Sequence, residues 1–328
     1  MRSAFNFGFA VIFVLFASVK WMSCAFPAET IDAYPIQPIR WIVAWPPGGG
    51  ADITARVLQP KLVEALGQQI VIDNRPGAGG NIGAELAAKS RADGYTMLFG
   101  AASTHAMNPN LYAKMPFRES DFAPVTLLAT VANILVVNPT FAAKSVKELI
   151  ALAKAGPVNF GSSGNGSILH VAAEMFDSMA GVRMTHVPYK GGGPAITAIL
   201  GNEVQVLFSD PLPAIPLIKT GRLRALGVTG VKRLATFPEL PTVAESGVPG
   251  YDADSWAGLF VPVGTPSYAV RRLNQEFVRA LQMPDVKERL GSQGYNPSPT
   301  SPEQFGRFVS AQIAKWGSII KAADIRID

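Results

Sequence analysis

A single cysteine, Cys24, stands in 328 residues, beside the end of an N-terminal apolar run. That run, FNFGFAVIFVLFASV (5–19), follows Arg2 and leads to the small residues Ser23, Cys24 and Ala25. These are the parts of a secretory signal peptide spanning residues 1–25. The run is short for the ~20 residues of a membrane-spanning helix, and Trp21-Met22-Ser23 is a poor approach to a lipidated cysteine. Cleavage after Ala25 leaves no cysteine, which excludes disulfides, thiolate nucleophiles and cysteine-ligated metals. An exported chain without disulfides has to rest on a full-sized core, which this length permits.

Charge is also sparse, at 16% of residues, with 29 Lys and Arg against 24 Asp and Glu. Without Arg2 and Lys20 the balance is 27 to 24, about +3. Basic residues pair at Arg222 with Arg224 and at Lys232 with Arg233, and no basic block interleaves with aromatics, so nucleic acid is not an expected partner. Histidine occurs three times, at 105, 170 and 186. His170 and Glu174 lie one helical turn apart, but HExxH and a third ligand are missing, so no metal is expected. Repeats, heptads and low-complexity tracts are absent too.

What is present is alternation of strand and helix. IRWIVAW (39–45), QQIVIDN (68–74) and YTMLFGA (95–101) read as strands, and segments 51–67 and 84–90 between them as helices. A second series follows, with a helix at 145–156 opened by Ser145 and Glu148 as a capping box. Strands at 158–164, 184–189, 204–210 and 224–230 complete it. Two long extended segments, 125–139 and 254–264, join the series, and helices at 267–282 and 302–323 close the chain. Repeated βα units imply parallel strands with helices on both faces. The double crossover predicts two α/β lobes joined by a two-segment hinge, lobe 1 being 33–128 plus 254–328 and lobe 2 being 129–253. Hinge-joined lobes of this kind close on a ligand between them. One continuous sheet is the alternative.

Glycine-rich turns follow four strands: PPGGGAD (46–52), RPGAGGNIG (75–83), GSSGNGS (161–167) and YKGGGP (189–194). Where a helix starts directly after such a turn, its free N–H groups and dipole favour an anion. The first turn lacks the lysine and Ser/Thr of a P-loop, and the second has poor dinucleotide spacing, so no cofactor is expected. GSSGNG fails G-x-S-x-G because Asn165 replaces the second glycine. Ser162, Ser163 and Ser167 supply hydroxyl donors, and Asp210, at the end of a strand, is either a ligand-orienting residue or a turn cap. An exported hydrolase using Ser163 or Ser167 with His170 is the competing reading.

The segments YPIQPIRWIVAWPPGGGADITARV (34–57), VIDNRPGAGGNIGAE (71–85), GSSGNGSILHVAAEMF (161–176) and VPYKGGGPAITAILGNEVQVLFSD (187–210) come in order, followed by GRLRALGVTG and LPTVAESGVPGY. Together they resemble the Bug family of extracytoplasmic solute receptors, the TctC-like binding subunits of tripartite tricarboxylate transporters. The resemblance covers the chain from about Tyr34 onward. It implies a periplasmic, non-enzymatic, monomeric protein with a type II periplasmic-binding-protein fold. Its ligand would be a small carboxylated solute, such as a di- or tricarboxylate, an acidic amino acid or an aromatic acid. The partner would be the permease subunits of the transporter or, in the alternative, a sensor kinase. Carried onto this sequence, the first anchoring loop comprises Pro47, Gly48, Gly49, Ala51 and Asp52. The second comprises Ser162, Ser163, Gly164, Gly166 and Ser167, with His170 on the helix that follows. Thr104, His105, Asn108, Lys190, Gly191 and Asp210 line the rest of the cleft. Trp45, where many members carry phenylalanine, departs from the pattern and is expected to bear on ligand size.

Overall fold

The first long helix starts and stops on glycine. Gly49 precedes it in extended conformation, and Gly67 ends it at φ 67°, donating its N–H to the Val63 carbonyl. Only a residue without a Cβ takes that left-handed position at little cost. The computed structural model describes residues 34–322 and residue 325; the expected signal peptide lies outside the described residues. The described elements run β1 (Ile39–Val43), α1 (Gly50–Leu66), β2 (Ile70–Asn74), α2 (Asn81–Ala88), β3 (Thr96–Ala101), α3 (Asn108–Leu111) and β4 (Phe122–Val131). Then come β5 (Ile134–Val137), α4 (Val146–Ala155), β6 (Asn159–Ser162), α5 (Ile168–Ala180), β7 (Thr185–Pro188), α6 (Gly192–Leu200), β8 (Val206–Ser209), α7 (Pro211–Lys219) and β9 (Arg224–Val228). The chain ends with β10 (Ser255–Pro262), α8 (Ser267–Gln282), α9 (Pro284–Gly291), β11 (Tyr295–Pro297) and α10 (Pro302–Ala322).

Among the described residues the strands form two sheets, ordered β11-β4-β10-β3-β1-β2 and β7-β6-β8-β5-β9. The continuous-sheet alternative therefore falls. The expected long segments are the crossovers: one leaves the first sheet at Val131 and enters the second at Ile134, and the other returns through β10. Both sheets are mixed, which corrects the all-parallel expectation. The strands that follow a crossing, β5 and β10, run antiparallel to their neighbours because the chain enters each sheet from the opposite end.

Ser145 caps α4 by accepting the Glu148 N–H, and the Glu148 carboxylate reaches back to the Lys144 N–H, one residue before the cap. Helix α2 starts at Asn81, three residues before the expected 84. Helix α9 and strand β11 were not expected, since two short elements between long helices leave no periodic run to read.

Three apolar clusters hold the layers together. One, built on Trp41, Leu58 and Phe277, lies under α1, α8 and α9. Another, with Ile134, Ile199 and Leu207, backs the second sheet. The third spans both lobes, from Phe260, Phe305 and Trp316 on one side to Val171, Phe176 and Phe208 on the other. Trp316 is fully buried in that shared cluster and donates its indole N–H to Gln312. Replacing Trp316 with alanine is expected to remove about 3–5 kcal/mol of stability, read as a lower urea midpoint. A loss below about 1 kcal/mol would show that α10 is not part of the core.

Candidate functional site between the two sheets

Strands β1, β2 and β3 are parallel, so the turns after them emerge at one end of the first sheet. Strands β6, β7 and β8 are parallel neighbours in the second sheet, which sets the turns at 163–167 and 189–191 beside Asp210. Ligands bind at this carboxyl end of strands in open α/β sheets. The two ends meet. A Cβ built on Gly294, in the turn before β11, would lie 2.6 Å from the Pro211 Cβ at the start of α7. Leu212 packs against the first-lobe core.

The turn before α1 is braced from behind. Asp52 is 2% exposed, and its carboxylate accepts from the Gly48 N–H at 2.9 Å, Arg56 Nε at 2.9 Å and Asn74 Nδ2 at 3.1 Å. Burial acts to raise its pKa, but these hydrogen bonds and the Arg56 charge outweigh it and hold the carboxyl below the usual range. Asp52 is thus placed as a strut rather than a cleft-facing group. Gly48 takes φ 78°, Pro47 is exposed, and no side chain caps the helix. The first-turn N–H groups of Gly50, Ala51 and Asp52 have no intrahelical acceptor and remain open to an anion. Trp45 is half-buried at the margin: its ring packs edge-on to Phe99, 6.1 Å between centroids, and against Gly80.

The second-lobe turn uses most of its own donors. Ser162 is fully buried, its hydroxyl accepting the Gly164 N–H and lying 2.7 Å from His186 Nε2. The Ser167 N–H goes to the Gly164 carbonyl, and the Ser167 hydroxyl caps α5 by accepting the His170 N–H. His170 Nδ1 accepts the Gly166 N–H at 3.2 Å, so its ring proton sits on Nε2, facing Glu174 at 3.5 Å. His186 stacks on His170 at 3.9 Å. Burial, then the neighbouring His170, lowers the His186 pKa to about 4, so His186 is neutral near pH 7. Neither Ser163 nor Ser167 is hydrogen-bonded to an imidazole, and the hydrolase reading loses its nucleophile–base pair. The half-buried Ser163 hydroxyl makes no hydrogen bond among the described residues. Gly191, at φ 108°, precedes α6 without a side-chain cap, and Lys190 beside it is exposed.

Three expected cleft residues are instead interior. Thr104, His105 and Asn108 are each fully buried, in or beside a π-helical turn at Ser103–Met107. Thr104 Oγ1 bonds both backbone groups of Ala101, and Asn108 donates to the Gly79 carbonyl and to Asn81. They buttress the 77–80 turn, where Ala78, Gly79 and Gly80 all have positive φ. His105 is enclosed by Phe117, Phe122 and Phe260, with ring centroids 6.3, 4.9 and 3.8 Å away.

The sequence model of the family described as "TctC: Tripartite tricarboxylate transporter family receptor" matches residues 54–325. The chain belongs to that family. It is 37% identical to protein BugT of Bordetella pertussis over 300 residues, 90% of this chain and 92% of BugT. Among solved structures it resembles R. palustris Rpa4515 with adipate, at 37% identity and TM-score 0.85, covering 90% of this chain and all of that one. It also resembles MatC from Rhodopseudomonas palustris with bound malate, at 29% identity and TM-score 0.81, covering 88% of this chain and all of MatC. The two-lobed architecture is that of periplasmic binding proteins of the TctC and Bug type.

Two features of this receptor escaped the sequence reading. His186 carries no motif, and only its strand position, two residues before the β7 end, sets it under the second turn. Tyr295 lies on a strand too short to notice, yet its hydroxyl reaches the first residue of α1.

The interior position of His105 has a measurable consequence. Burial lowers its pKa to about 3, while an unfolded histidine titrates near 6.5. The unfolded state therefore binds the extra proton first, and stability falls as pH drops from about 6.5 toward 3. At pH 5 this group alone costs about 2 kcal/mol relative to pH 7. Removing the imidazole in His105→Leu is expected to leave that much less acid sensitivity, measured by urea unfolding at both pH values. An unchanged difference between pH 7 and pH 5 would show that burial does not depress the His105 pKa, as follows if the Glu119 carboxyl, 3.7 Å from Nδ1, pairs with a charged imidazole.

Proposed function

We propose that this receptor captures a small carboxylate between its two sheets, without transforming it, and passes it to the membrane subunits of a tripartite tricarboxylate transporter from the periplasm. The observation that carries this reading is the uncapped N-terminus of α1, set in a glycine turn on the cleft and held open by Asp52 from behind. Open amides at a helix start favour an anion, and a carboxylate is satisfied by two or three donors. The open start of α6 and the free Ser163 hydroxyl supply further donors from the second lobe. Adipate and malate, bound to the similar Rpa4515 and MatC, are both dicarboxylates, which supports the same ligand class here. Trp45, at the margin of the first turn, fits a role in setting ligand size.

Thermal-shift titration against malate, adipate, citrate, glutamate and nicotinate tests the class. At one hundred times its Kd a ligand adds about 2.7 kcal/mol, enough to raise Tm by several degrees. Stabilisation only by sugars or cations would end the carboxylate reading. A second test uses Gly49, whose backbone is extended and open to any residue. Asp at that position is a favourable helix cap, so Gly49→Asp is expected to keep or raise the Tm of the free protein while abolishing carboxylate binding. Retained affinity in this variant would move the ligand away from α1.

A further inference from the structure

Tyr295 is 7% exposed, and its hydroxyl has no hydrogen-bond partner among the described residues. It belongs to β11, an edge strand of the first sheet, paired with Val131. A Cβ built on Gly50 would lie 1.8 Å from the hydroxyl and 3.1 Å from Cζ, so the phenol oxygen rests against the first residue of α1. Among the described residues, the charged group acting on it is Asp210, at the start of α7, whose own carboxyl caps nothing on that helix. A phenol that is buried as a residue but leaves its hydroxyl unpartnered is free to donate to whatever fills the cleft beside it. Here it points at the start of α1, which no side chain closes.

We propose that Tyr295 is a specificity-determining residue of the cleft: its hydroxyl donates to a ligand carboxylate seated on the first turn of α1, adding a side-chain donor to the backbone amides. This rests on the carboxylate reading above. Three donors converging on one group favour an ionised carboxylate over its amide or ester, which accept fewer hydrogen bonds and carry no charge. The β11 position also ties recognition to closure. Gly294, directly before Tyr295, sits at φ 81° against Pro211 of the second lobe, so the phenol is held where the two lobes touch.

The test is Tyr295→Phe, which keeps the ring and removes only the oxygen. The probe is whichever of malate, adipate, citrate, glutamate and nicotinate binds the wild-type protein most tightly by calorimetry. Its Kd is expected to rise about tenfold or more in the variant, with the Tm of the free protein unchanged. Saturation with the same acid is expected to perturb the tyrosine absorbance of the wild type and not that of Tyr295→Phe. Gly50→Ala, whose methyl group would displace the phenol oxygen, is expected to weaken binding as well, which covers the case of a poorly folding first variant. An affinity within twofold of wild type in both variants overturns the role of Tyr295 while the cleft still binds carboxylates. Failure of the wild type to bind any of the acids overturns the carboxylate reading, and this proposal with it.

Discussion

Thr229 ties the two crossings together, and the cleft depends on that tie. Its N–H donates to the Asn133 carbonyl, its hydroxyl accepts the Asn133 N–H at 2.8 Å, and its carbonyl accepts the Ala253 N–H. One fully buried residue therefore holds both segments that pass between the sheets. The next residue, Gly230, has Asp254 packed so closely that an added Cβ would sit 2.1 Å from Oδ1. With the crossings fixed to one another, the carboxyl ends of two separate sheets face one space. Without that constraint the turns at 46–50 and 163–167 would belong to unrelated surfaces.

The two turns solve the same backbone problem in opposite ways. A glycine turn before a helix has more N–H groups than carbonyls in reach. In the first lobe one carboxylate, Asp52, takes the Gly48 N–H from the buried side and leaves the helix start to the cleft. In the second lobe Ser162, Ser167 and His170 take donors internally, and His186 and Glu174 fix the imidazole that does part of this work. On the proposed carboxylate reading, the asymmetry makes the first lobe the stronger anion anchor and the second a stiffer wall with a few free hydroxyl and amide donors.

The double crossover, the two α/β series and the glycine turns were legible in the sequence because each leaves a local signal: a long apolar run, a change of period, a glycine cluster before a helix. Side-chain direction was not. Thr104, His105 and Asn108 follow a strand at the carboxyl end, as cleft residues do, yet a π-helical turn rotates all three inward. Asp52 lies within the first turn but points behind it, because Arg56 and Asn74 are there to receive it. Tyr295 was invisible for the converse reason: its strand is three residues long, and both its sheet partner Val131 and its neighbour Gly50 lie far away in sequence.

Charge links these features to closure. An open cleft lets water satisfy the free amides of α1 and α6, whereas a closed one removes that water and leaves them unpaired unless a ligand replaces it. An uncharged solute offers weak acceptors and compensates little, so closure around it is disfavoured. An ionised carboxylate pairs with the helix amides and gains from the dipole. Asp210 limits how far this extends. Burial alone pushes its pKa up to about 6, and a bound anion nearby opposes its ionisation further. A second negative group placed beside Asp210 is therefore disfavoured while that carboxyl is ionised. On the proposed carboxylate reading, discrimination among acids depends in part on the distance between the α1 start and Asp210, two ends brought together where Gly294 meets Pro211.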